Sequence, residues 1–308
     1  MENNLTVSSP HIRHFDSTRS IMGDVLWGLG PAAVYGSIMF GLRAVLVIVT
    51  CVATAVLAEF LWNLILKKPQ TIGDLSAVVT GMILGMNLSP LIPLWMAAIG
   101  SVIAIIIVKQ MFGGLGHNFA NPVVVARIVL MVSFPAAMTR FAEPISDVVT
   151  SATPLSGGSY SGWLLFWGTH SGSIGETSVA LLLVGALFLL FRRIITPTIP
   201  ACFIGTVALL TWLTGGNVVT SLLTGGLFLA AIFMATDYTT SPYSTLGKVI
   251  FGVGCGVITF VIRKYGALPE GVSCAILVMN ILTPHINRLP ARSPFGSRVK
   301  QKGGRHSA

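Results

Sequence analysis

Charge is what this sequence has least of. Of its 308 residues only 9% are Asp, Glu, Lys or Arg, while 53% are apolar and the mean hydropathy is +0.82. Soluble domains carry about 25% charged residues, so the balance excludes a freely soluble enzyme and indicates an integral membrane protein. Cysteine is scarce as well. Cys51, Cys202, Cys255 and Cys274 all lie inside apolar runs, with no C-x-x-C pair and no histidine at ligand spacing. That pattern predicts neither a disulfide nor a metal or iron–sulfur centre made by this chain alone, and leaves the four as small buried hydrophobes. The first 22 residues, with His11, Arg13, His14, Asp16 and Arg19, lack the apolar core and cleavage site of a signal peptide.

Long apolar runs are present in number. A helix needs roughly 20 residues to cross about 30 Å of hydrocarbon, and ten runs of about that size, bounded by charge, Pro or Gly, predict helices near 23–42, 43–66, 72–88, 91–109, 122–138, 177–193, 197–214, 218–236, 246–263 and 267–284. The third and the last are short for a full crossing. The fold class predicted is all-α and polytopic.

The net charge of +9 raises nucleic acid as a partner, but the placement of the 19 basic residues excludes it. Arg288, Arg292, Arg298, Lys300, Lys302 and Arg305 crowd the C-terminal tail, and most others sit in short gaps between apolar runs. With ten spans both termini share a side. Placing them in the cytoplasm puts 14 of the 19 inside, which is the orientation the positive-inside rule favours. Arg43, Arg140, Arg263 and Lys264 then fall outside, and Arg127 lies within a span. The longest connection, about 139–176, faces the extracytoplasmic side.

An internal repeat is detectable. Shifting the chain by 152 positions pairs Gly73 with Gly225, Leu75 with Leu227, Met82 with Met234, Ser89-Pro90 with Ser241-Pro242, Leu94 with Leu246, Gly100 with Gly252, Ile106 with Ile258 and Gly114 with Gly266. Five spans per half is odd, so the halves would insert in opposite orientations, with any pathway expected at their interface. The organisation predicted is a cytoplasmic segment 1–22, a first five-helix repeat 23–138, an outer loop 139–176, a second five-helix repeat 177–284 and a basic cytoplasmic tail 285–308. Two stretches interrupt the apolar pattern at matching places: MFGGLGHNFANP (111–122), which contains Asn118, and RKYGALPEGVSC (263–274). Non-helical backbone at membrane depth is tolerated only where protein or a cavity surrounds it. These are either broken helices at a site or Gly-rich turns at the membrane surface.

Acidic residues within or at the ends of spans are costly to keep, on the order of 3 kcal/mol each when unpaired. Glu59, Asp74, Glu176, Asp237 and Glu270 are the candidates. Asp237, followed by Thr239, Thr240 and Ser241, offers oxygen donors of the kind a hard cation uses; the same residues could equally cap a loop. Asp237, Glu270 and Asn118 are the predicted ion-pathway residues. The outer loop carries Thr150-Ser151-Ala152-Thr153 and then Gly172-Ser173-Ile174-Gly175-Glu176-Thr177-Ser178, with His170 its lone histidine. No nucleophile–His–acid pattern is present to suggest a hydrolase. A Gly/Ser/Thr loop leading into a span can cradle a phosphate on backbone N–H groups, which makes Ser151, Gly175, Glu176 and Thr177 candidate cofactor contacts; as a composition it also reads as plain connector.

Several motifs are long and peculiar: Ser9-Pro10-His11, Arg19-Ser20-Ile21-Met22, Lys109-Gln110-Met111-Phe112-Gly113-Gly114-Leu115-Gly116, Asn121-Pro122, Gly172 to Ser178, Phe233-Met234-Ala235-Thr236-Asp237 and Pro269-Glu270-Gly271-Val272. In these the chain resembles, over nearly its whole length, the D subunits of Rnf electron-transport complexes, relatives of the B subunit of sodium-translocating NADH:quinone reductase. The resemblance implies a bacterial inner-membrane flavoprotein subunit of a complex that couples electron transfer between ferredoxin and NAD to movement of Na⁺ or H⁺. Its partners would be a ferredoxin-like subunit, an NADH-binding subunit, a second flavinylated subunit and paired membrane subunits. It also implies FMN joined by a phosphoester to Thr153, attached by a separate flavin transferase, and a second, non-covalent riboflavin deeper in the membrane. Phe112-Gly113-Gly114 corresponds to a stretch near the quinone site of the quinone reductase; a packing role competes here. The rival reading is an inverted-repeat channel or secondary transporter for a small solute, which needs no flavin.

Overall fold

The computed structural model describes residues 17–141, 162–168, 170–266 and 271–289. Among these every regular element is helical, as the composition predicts. Helix α1 (Thr18–Phe40) starts at Ser17, whose hydroxyl oxygen accepts from the Ser20 N–H, and ends at Gly41, whose φ of 69° lets a single residue separate it from α2 (Leu42–Ile65). After a 3-10 turn at Ile72–Asp74 comes α3 (Ser76–Met86), then α4 (Leu94–Val102), which continues as a π-helical stretch Ile103–Gln110. Helix α5 (Pro122–Ser133) is capped by Asn121 and stops before Pro135, which opens the short α6 (Pro135–Met138). The chain goes on through α7 (Gly162–Trp167), α8 (Val179–Phe191), α9 (Thr198–Leu213) and α10 (Val218–Leu223). It ends with α11 (Leu227–Leu229), extended by π-helical Ala230–Met234, then α12 (Thr245–Tyr265) and α13 (Val272–Ile286).

Two helices, α2 and α12, are long and apolar enough to cross a membrane by themselves, and six shorter ones are strongly apolar. The outward face of α2 carries Val45, Leu46, Val49, Leu57, Leu61, Leu64 and Ile65, all exposed. An apolar surface of that extent suits lipid rather than water. Inside, α2 packs on α3 and α4, α9 packs on α12, α1 lies along α8, and α5 meets α13. Helix ends can be matched through polar ties: Asp24 at the start of α1 pairs with Arg192 just after α8 (2.8 Å), and Lys248 near the start of α12 donates to Thr196 in the α8–α9 connection (3.2 Å). The starts of α1, α9 and α12 and the end of α8 therefore share one end of the bundle, and the C-terminus of α12 lies at the other.

The sequence-based boundaries need two corrections. The run 72–88 yields only an 11-residue helix, α3, about 16 Å long and so half the hydrocarbon thickness. The run 218–236 is interrupted at Thr224–Gly226, where Gly225 and Gly226 have φ of 72° and 65°. Apolarity alone hides such breaks, because the residues on either side, Leu222-Leu223 and Leu227-Phe228-Leu229, remain hydrophobic. The Gly225-Gly226 pair is the available signal.

Close helix contact depends on missing side chains. A Cβ at Gly81 of α3 would stand 2.7 Å from the Val52 Cα and 2.8 Å from the Cys51 carbonyl oxygen of α2. Gly81→Val therefore forces the α2–α3 pair apart; overpacking of this kind costs about 1–3 kcal/mol and lowers the thermal midpoint in detergent. Gly205→Ala, at a helical position with nothing within 4 Å of the added Cβ, leaves the midpoint unchanged or higher.

Candidate functional site

A cleft opens at the end of the bundle where α1 begins, with a cavity volume of about 90 Å³. Its walls come from the start of α1 (Met22, Val25), the buried face of α3 (Val79, Thr80, Ile83), the break before α5 (Leu115, Asn118, Asn121) and the π-helical run Ile232–Phe233 with the Thr236–Thr239 segment that follows. Both π-helical stretches border it, one through Lys109 and the other through Ile232 and Phe233. Such stretches recur at functional sites because they displace side chains from the regular helical register.

Two of the predicted ion-pathway residues, Asp237 and Asn118, line this cleft together. The Asn118 side-chain oxygen is buried and has no hydrogen-bond partner among the described residues. Asp237 Oδ1 accepts from the Thr239 N–H (3.2 Å), and Oδ2 accepts from the hydroxyls of Thr239 (3.0 Å) and Thr240 (3.3 Å). This is the loop-capping arrangement. Burial pushes the Asp237 carboxyl above its ordinary pKa, opposed by these three donors. The adjacent Tyr238 phenol is pushed up to about 12, first by burial and then by the negative charges of Asp237 and Asp74. Asp74 therefore lies within electrostatic reach of the same cleft mouth. Asn121 ties the two halves of the chain at this point: its Oδ1 accepts from Val123 N–H (2.9 Å), while its Nδ2 donates to the Met234 carbonyl (3.1 Å).

Beside the cleft, the N-terminus of α3 is held by a buried charge network. Lys109 Nζ donates to both carboxylate oxygens of Glu59 (3.1 and 2.9 Å) and to Ser76 Oγ (2.5 Å). Glu59 Oε1 also accepts from Gln110 Nε2 (2.9 Å) and Thr71 Oγ1 (2.5 Å), and Asp74 Oδ1 accepts from the Ser76 hydroxyl (2.5 Å) and N–H (2.8 Å). Glu59 and Lys109 are 0% and 2% exposed, so the pair persists only because every polar atom is matched.

The predicted cofactor contacts Gly175, Glu176 and Thr177 lie in an almost entirely buried non-helical segment, 170–178. Four consecutive N–H groups in it are engaged: Ile174 donates to Leu88 O (3.1 Å), Gly175 to Met86 O (2.6 Å), Glu176 to Ser173 O (3.1 Å), and Ser173 to Glu176 Oε2 (3.4 Å). The segment thus seals the end of the half-helix α3 instead of presenting a free row of donors. Glu176 Oε1 accepts from the Gly225 N–H at the α10–α11 break. From the last turn of α12, Arg263 donates to the carbonyls of Ser221 (2.6 Å), Thr224 (3.1 Å) and Gly225 (3.1 Å) at the same break. From the sequence Arg263 is placed only on the outer side, at the start of the interrupted stretch 263–274, with no partner assigned. Arg127, buried in α5, donates to Asn87 Oδ1 (3.2 Å) and Ser273 Oγ (3.3 Å), joining α3, α5 and α13 at the centre of the bundle. Ser151, Thr153 and Glu270 lie outside the described residues.

Phe112 and Phe119 make a tilted ring contact, with centroids 4.9 Å apart, across the turn containing Gly113, Gly114 and Gly116, all at positive φ. Residues 5–296 match the model of the NQR2, RnfD, RnfE family. The chain belongs to this family. Its relatives include the D subunit of the Na(+)-translocating ferredoxin:NAD(+) oxidoreductase complex of Acetobacterium woodii, 44% identical over 98% of each chain. The proton-translocating counterpart from Clostridium ljungdahlii is 43% identical over 94% of this chain and 96% of its own. The D subunit of an ion-translocating oxidoreductase complex from Halorhodospira halophila is 34% identical over 91% of this chain and 92% of its own. Membership of this family makes the chain a membrane component, in keeping with its apolar exposed helices.

Removing one partner of the buried Glu59–Lys109 pair leaves an uncompensated charge, which costs about 3–5 kcal/mol. Lys109→Met is therefore strongly destabilising, while the double variant Glu59→Gln/Lys109→Met recovers a large part of the loss in a detergent melt; additive losses would contradict the pairing.

Proposed function

We propose that this chain is the flavin-bearing, ion-conducting membrane subunit of a ferredoxin:NAD oxidoreductase complex of the Rnf type. The carrying observation is near full-length similarity to D subunits of such complexes from several bacteria. A channel or secondary transporter remains the rival by architecture alone, but the relatives are named as subunits of oxidoreductases.

The layout we propose is ten spans in two inverted five-helix halves, with both termini on the cytoplasmic side of the inner membrane. The helix pairings support it. Shifting α4 with its π-helical extension (94–110) by 152 positions lands inside α12, and α3 shifted likewise covers the π-helical run after α11. The partnerships α1 with α8 and α5 with α13 join equivalent elements of the two halves. In that orientation the cleft faces the cytoplasm and the predicted outer loop leaves the bundle on the outer side, its last residues, 170–176, returning to be buried against the end of α3.

We assign covalent FMN to Thr153, attached by a flavin transferase. A threonine hydroxyl can form the phosphoester, and the tethered flavin supplies redox chemistry that no side chain has. The cleft suits the second, non-covalent riboflavin. Val79, Ile83, Ile232 and Phe233 offer apolar walls, and the unpartnered Asn118 oxygen is an acceptor for a ring N–H. At the cleft mouth, the carboxylates of Asp237 and Asp74 would concentrate cations for an ion route that continues between the halves, with Glu270 a further candidate.

Two results test this reading. Denatured complex from the native host retains yellow flavin fluorescence on the band of this chain, and Thr153→Ala abolishes it; fluorescence persisting in that variant would overturn the attachment site. Asn118→Leu lowers the acid-extractable, non-covalent flavin per complex while leaving the covalent flavin in place.

A further inference from the structure

The two half-helices of the bundle begin in the same unusual way. Ser76, the first residue of α3, and Thr224–Gly226, just before α11, are each gripped by a cationic side chain from the C-terminal end of a long neighbouring helix. Lys109 comes from the end of α4, and Arg263 from the end of α12. Each cation is surrounded by oxygen. Lys109 Nζ faces two carboxylate oxygens and a hydroxyl at 2.5–3.1 Å. The Arg263 guanidinium faces three backbone carbonyls at 2.6–3.1 Å. A carboxylate also secures each break, Asp74 on Ser76 and Glu176 on the Gly225 N–H.

Carboxylate, hydroxyl and carbonyl oxygens are the donor set of a hard cation. Oxygen donors of this kind are gathered twice, two carboxylate oxygens and a hydroxyl around Lys109 and three backbone carbonyls around Arg263, at opposite ends of the bundle, and in both places a tethered positive charge already fills the site. Helix directions fix the placement: α2 ends and α3 begins at the end of the bundle where α1 starts, whereas Arg263 lies at the far end of α12. A mobile monovalent cation entering either oxygen set meets a like charge at contact distance, and repulsion there is screened little because Lys109 and Glu59 are buried.

We propose that Lys109 and Arg263 are the two plugs of the ion route, each occupying an oxygen cage that the translocated cation takes over when the side chain withdraws. With both plugs seated, the resting protein is closed at both ends and no ion crosses without turnover. Withdrawal of one plug at a time gives access from one side only. Glu59 and Glu176 are positioning residues: Glu59 keeps Lys109 seated, and Glu176 keeps the carbonyls of the α10–α11 break turned toward Arg263. The proposal rests on the assignment of the chain to an ion-translocating complex, but it does not depend on where flavin is attached.

The test measures passive Na⁺ and H⁺ leak in vesicles carrying the whole complex, without electron donor. The single variants Lys109→Gln and Arg263→Gln remain as tight as wild type, because the other plug stays seated. The double variant leaks at least tenfold faster and loses ion uptake relative to electron transfer, whereas Lys109→Arg/Arg263→Lys stays tight. If Lys109→Gln fails to assemble, Glu59→Gln/Lys109→Gln replaces it, being uncharged at that site. Sidedness provides a second readout with a membrane-impermeant maleimide. Cysteine at Ala77 becomes reactive from the cytoplasmic face alone when Lys109 is neutralised, and cysteine at Leu227 from the outer face alone when Arg263 is. A tight double variant, a leak in either single variant, or labelling that rises equally from both faces would overturn the plugs. Failure of the parent reading would show differently, as wild-type vesicles that take up neither ion during electron transfer.

Discussion

Every backbone N–H and C=O group left open by a broken helix must find a partner inside the protein, because hydrocarbon offers none. This chain breaks its helices at several points, and the rest of its polar architecture follows from closing those breaks. Asn121 closes the start of α5, the 170–178 segment takes up the Met86 and Leu88 carbonyls at the end of α3, and Arg263 takes up three carbonyls before α11. Scarce charge is concentrated where backbone would otherwise be orphaned. The low charge content and the buried ion pair are thus two sides of one constraint: the few charges kept within the bundle each bind several polar partners.

Closing the breaks also gathers function at the interface of the halves. Asn121 bonds to Met234, Arg127 reaches Asn87 and Ser273, and Glu176 reaches Gly225, so each tie joins elements distant in sequence. The cleft beside them is walled by the first turns of α3 and by the non-helical chain between α4 and α5, which contributes Leu115, Asn118 and Asn121. The half-helices, the cleft and the oxygen-lined seats of Lys109 and Arg263 are therefore consequences of one folding solution, and they suit the proposed handling of a flavin and small ions.

Much of this is legible in the sequence, and the exceptions have physical causes. The all-helical class, the places of the main helices and the break at 111–122 follow from apolar run length and Gly/Pro punctuation. Asp237 and Asn118 stand out individually in the sequence but not as neighbours in one cleft, since 119 positions separate them and only folding brings them together. Glu176 resembles a cofactor contact because Gly, Ser and Thr surround it; in the structure its carboxylate and the neighbouring N–H groups are engaged in closing helix ends. Arg263 looks like loop charge because the positive-inside rule counts a residue by its span and ignores where a long side chain reaches. The double glycine at 225–226 signals a break that a window of mean hydropathy averages away.

Ions that reach the interface of the two halves through the cleft must pass its mouth, where Asp237 lies. The most direct measurement is the ratio of ions moved to electrons transferred in sealed vesicles containing the complex with Asp237→Asn, supplied with reduced ferredoxin and NAD⁺. Electron transfer is expected to continue while uptake of the coupling ion, Na⁺ or H⁺, falls severalfold per electron. An unchanged ratio, with the cleft residue neutralised and the complex intact, would contradict a route through the cleft.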